Sequence, residues 1–125
     1  MAIDLFTYGT LISPKVWLRV VGRAYPTLPA RVRGFRRVRV RGESYPALLP
    51  AGPEEEVEGV VHLGLSPQDL ARIDRYEGEL YRRIPVTCHL QDGSSREAQA
   101  YLFRREFLHL TEEGPWDPEE FLKEW

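Results

Sequence analysis

The sequence predicts an α+β fold, a small mixed β-barrel flanked by two or three short helices. Short apolar or alternating segments of strand length outnumber the helical stripes. The order strand, helix, several strands, helix, hairpin does not alternate regularly enough for a doubly wound parallel sheet. At 125 residues, the chain suits one domain with a core of its own, expected to span 1–125.

Ile3 to Tyr8 is apolar, strand-length and bounded by the turn residue Gly9. Ser13-Pro14 then offers a cap and a first-turn proline, and Val16, Trp17, Val20 and Val21 form one helical stripe stopped by Gly22. From Arg31 to Arg41 the pattern alternates about a turn at Gly34, predicting two half-buried strands. Tyr45 to Pro50 carries proline at both ends of its apolar run, which confines it to an edge strand or an extended loop. Glu56 to Leu65 reads as a further strand.

Ser66-Pro67-Gln68-Asp69 is a strong helix start, with a hydroxyl at the cap, proline first and an acid third. Leu70 and Ile73 form the inward face of that helix, Tyr76 and Glu77 continue it, and Gly78 ends it. Leu80 to Leu90 and Ser95 to Phe103 flank Asp92-Gly93, a hairpin signal. A last short helix is expected from Asp117, its cap, to Trp125.

Composition excludes several function classes. Seventeen Lys plus Arg against nineteen Asp plus Glu leave a net charge of -2, so no global basic excess draws the chain to nucleic acid, and no such partner is expected. No stretch approaches the ~18 apolar residues of a membrane span, and the N-terminus lacks a basic, then apolar, leader pattern; a cytoplasmic protein with no membrane partner is expected. Cys88 is the only cysteine, and with His62, His89 and His109 scattered it makes no zinc site. Phosphate loops, dinucleotide-binding glycine turns, zinc-protease helices and nucleophile elbows are all missing. Arg31, Arg33, Arg36, Arg37, Arg39 and Arg41 would form one basic stripe. It reads as a solvated outer face that protects a sheet edge, with an anionic-ligand or nucleic-acid surface as the alternative. Cys88 reads as a core cysteine and His62 as a hydrogen-bonded core or rim residue.

Two elements carry more chemistry. Tyr8-Gly9-Thr10-Leu11 lies between a buried strand and a helix, where glycine permits a sharp turn and consecutive backbone N–H groups can face a carboxylate or phosphate. A purely structural turn is the other reading. Glu77 continues the apolar face of its helix, so an inward carboxyl there would be desolvated and its pKa raised toward the range of a general base. The alternative is a helix-end acid paired with Arg75 or Arg82.

Together these elements resemble the gamma-glutamylcyclotransferase-like family, which includes gamma-glutamylamine cyclotransferases and plant avirulence-induced relatives. Phe6-Thr7-Tyr8-Gly9-Thr10-Leu11 is similar to the family's Tyr-Gly-Ser/Thr-Leu signature, with Thr10 where Ser is common. Asp74-x-x-Glu77-Gly78-x-x-Tyr81-x-Arg83, followed by the Val86 strand, is similar to its second block, and Tyr45-Pro46-Ala47 to a segment between them. The resemblance implies a small mixed barrel and a small-molecule gamma-glutamyl substrate. It also implies a reaction needing neither metal nor cofactor, which releases 5-oxoproline and an amine. Tyr8, Gly9, Thr10 and Leu11 would hold the substrate α-carboxylate through backbone N–H groups, and Glu77 would be the general base. Tyr81 would donate a hydrogen bond near the carbonyl or line the pocket. A non-catalytic domain binding a small ligand or a protein through the same cavity is the alternative, and a nucleic-acid accessory protein using the arginine stripe a third reading.

Overall fold

The structure, a computed structural model, describes residues 2–114 and 116. In chain order its elements are β1 (Ile3–Thr7), α1 (Pro14–Val21), β2 (Thr27–Arg33), β3 (Phe35–Val40), β4 (Pro46–Pro50), β5 (Glu56–Leu65), α2 (Pro67–Glu77), β6 (Tyr81–Leu90), β7 (Ser95–Phe103) and β8 (Thr111–Glu112), with three-ten turns at Thr10–Ile12, Gly78–Leu80 and Arg105–Leu110. Five strands close a barrel in the order β1-β5-β2-β6-β7, and β4-β3-β8 form a separate sheet. The barrel is mixed because β1 closes on β7 in parallel, Leu5 opposite Gln99, while its other pairings are antiparallel.

Closing so small a barrel brings backbones very near one another. A Cβ on Gly59 of β5 would lie 2.1 Å from the Thr7 carbonyl oxygen, a separation no side chain can occupy. The prolines fall where ladder donors are dispensable. Pro46 and Pro50 bound β4 at the edge of its sheet, as the sequence indicates. Strand β2, however, begins at Thr27 rather than Arg31. It runs through Pro29 because β2 pairs there with β5 alone and meets β6 only over Ala30, Arg31 and Val32.

Alternation along the barrel strands sorts apolar side chains into two clusters. One is drawn mainly from the barrel, with Phe6, Val32, Val61, Cys88 and Ala100 at its centre. The other packs α1, α2 and the second sheet against Leu5, Leu65, Tyr101 and Phe103. Each fully buried Leu, Ile or Phe contributes about 1.5–3 kcal/mol relative to exposure, so the second cluster is what fixes α2 on the barrel wall. Ser13 and Ser66 cap the two helices, accepting from the Val16 and Asp69 N–H groups at 3.5 and 3.2 Å. Leu70 and Ile73 are buried as the helical stripe predicts, but Tyr76 is exposed, because six residues beyond Leu70 the helix has turned about 120° away from that residue's direction, to which Glu77 at seven returns. The turn and short strand over Arg105–Glu112 follow no periodic pattern in the sequence. The expected helix from Asp117 to Trp125 lies outside the described residues. Among the described residues no helix is long and apolar enough to cross a membrane.

Candidate active site

Strand β1 delivers the chain into the turn at residues 8 to 11. Tyr8 is buried, its hydroxyl donates to the Tyr101 carbonyl at 2.7 Å, and its own carbonyl accepts from Arg37 Nη1 at 2.7 Å. The three-ten turn that follows is closed by the N–H of Ile12 donating to the Gly9 carbonyl at 3.0 Å. The first N–H groups of such a turn have no partner within it. Gly9 is required by its neighbour, since a Cβ there would stand 2.8 Å from Cδ of Pro46. The Thr10 hydroxyl is 2.9 Å from that of Tyr76, so this side chain is engaged on the outer side.

Glu77 is the last residue of α2, one turn beyond Ile73 on the face packed against the barrel. Its carboxyl and the 8-to-11 turn line one pocket of about 310 Å³ including its open mouth, together with Tyr45, Pro46, Tyr81 and Tyr101. Burial, and then the neighbouring Asp74 carboxylate, push Glu77 up to about 8. Among the described residues neither Arg75 nor Arg82 pairs with it. Burial also raises Tyr8, Tyr81 and Tyr101, which keep their protons. The Tyr81 hydroxyl donates to the Pro46 carbonyl at 2.6 Å. Its proton is therefore committed, and it meets the pocket as a wall and an acceptor rather than as the donor the resemblance allowed.

The structure thus brings Tyr8, Gly9, Thr10, Leu11, Glu77 and Tyr81 to one cavity. Sequence reasoning missed Tyr101, whose place among Ala98, Ala100 and Phe103 on β7 reads as plain core. It also left Tyr45 and Pro46 without a site role, although both lie in the segment of family resemblance.

Other candidates lie elsewhere. Cys88 is fully buried, and burial raises its thiol to about 11, which makes it a poor nucleophile. His62 stacks on Trp17 with ring centroids 3.7 Å apart, its Nε2 lies 3.0 Å from the Thr7 hydroxyl, and burial lowers it to about 4. The arginine stripe is split between two sheets. Arg31 and Arg33 of β2 reach Glu56, while Arg36 and Arg39 of β3 reach Glu113 and Glu112. Among the described residues no group of three His, Cys, Asp or Glu side chains is arranged to hold a metal ion.

The small mixed barrel with its flanking helices is a gamma-glutamyl cyclotransferase-like fold. The chain belongs to the family described as gamma-glutamyl cyclotransferase, AIG2-like, whose profile matches residues 5–118. AIG2-like protein C of Arabidopsis thaliana is 34% identical over 122 residues, covering 96% of this chain and 69% of that protein. The solution structure of another Arabidopsis thaliana protein superposes with a TM-score of 0.79 at 28% identity, over 97% of this chain and 80% of its own. A structure titled gamma-glutamyl cyclotransferase shares the fold with a TM-score of 0.72 at 21% identity, over 83% of this chain and 68% of its own.

Proposed function

We propose that the protein is a cyclotransferase that releases 5-oxoproline and an amine from a gamma-glutamyl amine or amide, with Glu77 as general base. The observation that carries this reading is the shared cavity of the Glu77 carboxyl and the Tyr8 to Leu11 turn. The turn N–H groups hold the substrate α-carboxylate. The Glu77 carboxylate takes a proton from the α-ammonium, and the freed nitrogen attacks the γ-carbonyl carbon of the same molecule. The attacking nitrogen, cationic in the tetrahedral intermediate, gives up its extra proton as the original amide C–N bond breaks; that proton and the one held by Glu77 both pass to the departing nitrogen, which leaves as an ammonium and returns Glu77 to its carboxylate. Ring closure is intramolecular, so it needs a folded glutamyl chain and one well-placed base. A carboxyl that titrates near 8 matches that task, because its conjugate acid holds the proton long enough to return it. The lone buried Cys88 suits a reducing compartment, so we read the chain as a single domain acting in the cytoplasm on a small molecule.

The test is mass-spectrometric detection of 5-oxoproline from a panel of gamma-glutamyl dipeptides, gamma-glutamyl amines and the lysine isopeptide, with wild type and Glu77→Gln. Release by the wild type and its loss in the folded variant are expected. Equal release by both would overturn the role of Glu77, and ligand binding by the wild type without turnover on any panel member would mark a binding domain.

A further inference from the structure

Of the four tyrosines that line the cavity, Tyr8, Tyr81 and Tyr101 have given their hydroxyl protons to the protein. Tyr8 donates to the Tyr101 carbonyl at 2.7 Å, Tyr81 to the Pro46 carbonyl at 2.6 Å, and Tyr101 to Asp74 Oδ1 at 2.5 Å. A phenol has one proton, so each presents only oxygen lone pairs to an occupant. Two of those protons go to backbone carbonyls, whose position the fold sets. The third goes to a side chain, and that side chain is itself held. Arg83 of β6 clamps Asp74 through Nε to Oδ1 at 3.1 Å and Nη2 to Oδ2 at 3.2 Å, and its Nη1 is fixed by Gln99 of β7. Asp74 stands one helical turn before Glu77 on α2, so the same contacts tie the Glu77 end of the helix to two barrel strands.

We propose that Asp74 is a positioning residue, acting through Tyr101. By taking the Tyr101 proton it leaves that hydroxyl as an acceptor for the substrate α-ammonium beside Glu77, and Arg83 holds it in place to do so. This rests on the cyclotransferase reading for the identity of the cation. Glu77 is faced by Asp74 from its own helix, by Tyr8 after β1, Tyr81 of β6 and Tyr101 of β7, and by Tyr45 from the loop before β4. None of these is a cation, so a positive group meets no like charge there, and the Tyr8, Tyr81 and Tyr101 oxygens offer it acceptors. Alanine at position 74 breaks the arrangement. Tyr101 and Arg83 Nε share Asp74 Oδ1, so an amide oxygen there would still take the phenol proton, whereas alanine removes the acceptor and frees that proton for the cavity.

The test compares wild type, Asp74→Ala, Tyr101→Phe and the double variant by binding and by turnover. Binding uses L-glutamate against glutarate, which has the same two carboxylates and no ammonium, followed by NMR titration. Wild type is expected to prefer L-glutamate, and each single variant to lose about tenfold of that preference, the worth of one charge-assisted hydrogen bond. The double variant is expected to lose no more than Tyr101→Phe alone, since the two changes act on one contact. In turnover the acid limb of the kcat/KM profile moves to lower pH in Asp74→Ala, because one negative neighbour of Glu77 is gone. An unchanged preference in a folded Tyr101→Phe, or additive losses in the double variant, would overturn the proposal. A wild type that shows the preference and releases no 5-oxoproline would support the positioning role while sinking the cyclotransferase reading.

Discussion

Helix α2 carries carboxylates near both ends, and Asp69 near its start and Glu77 at its end occupy opposite surroundings. At the start, Asp69 is completely buried and surrounded by donors. Tyr25 donates to it, Arg72 Nη1 approaches to 2.6 Å and Arg23 Nε to 3.1 Å, and Ser66 caps the helix beside it. The Tyr25 hydrogen bond, followed by the two guanidinium groups and Ser66, outweighs burial and holds Asp69 below the usual carboxylate range. At the end, Glu77 faces phenol rings and another carboxylate, and burial pushes it up to about 8. The helix dipole points the same way, favouring an anion at the N-terminus and opposing one at the C-terminus. One residue chemistry is a structural anchor where its charge is satisfied and a proton carrier where it is not.

The comparison is broken most sharply by Glu77→Gln. General acid–base catalysis contributes roughly 10²–10⁴-fold, so 5-oxoproline release should fall by about a thousandfold while the melting temperature at pH 7 does not drop. At the other end Asp69→Asn should act in reverse, costing about 2–3 kcal/mol in urea unfolding and leaving turnover per folded molecule within about twofold. The two ends should also differ in their response to pH. Glu77 binds its proton more tightly folded than unfolded, its pKa being raised from 4.5 to about 8. The stability it confers on the protonated state is complete below pH 4.5 and is lost as pH rises through 8. Thermal melts at pH 9 should therefore find Glu77→Gln several degrees above wild type, with the difference vanishing near pH 4.5. The wild type's stability gain from Asp69 runs the other way, disappearing as pH falls below the ordinary carboxylate range. The smallest effect sharpens the picture of the turn. Thr10→Ser keeps the hydroxyl near Tyr76 and every backbone N–H, so kcat/KM should stay within about threefold.

Much of this contrast is legible along the chain. Ser66-Pro67 announces the start of α2, and the spacing of Leu70, Ile73 and Glu77 puts the last of them on the buried face. Local patterns end there. That Tyr25 comes to Asp69 from 44 residues away, or that Tyr101 comes to Asp74 from 27, is set by the closure of the barrel and leaves no periodic trace. Pro29 hid the first half of β2 because a proline breaks the ladder signal unless the strand is known to have an open side there. Alternation likewise marked β3 as a strand without showing that it leaves the barrel for a second sheet, which is why the arginines read as one stripe.

The parallel seam between β1 and β7 also orders events in time. A ribosome adds about 5–20 residues per second, so β1 and its turn wait several seconds before the strand that completes their pairing is made. Until Gln99 arrives opposite Leu5, the apolar segment Leu5-Phe6 has one free edge, open to any other extended chain in reach. The cavity is thus assembled from the earliest and the latest barrel strands, and a chain stopped short of β7 would carry the Tyr-Gly turn and Glu77 without a Tyr101 to set between them.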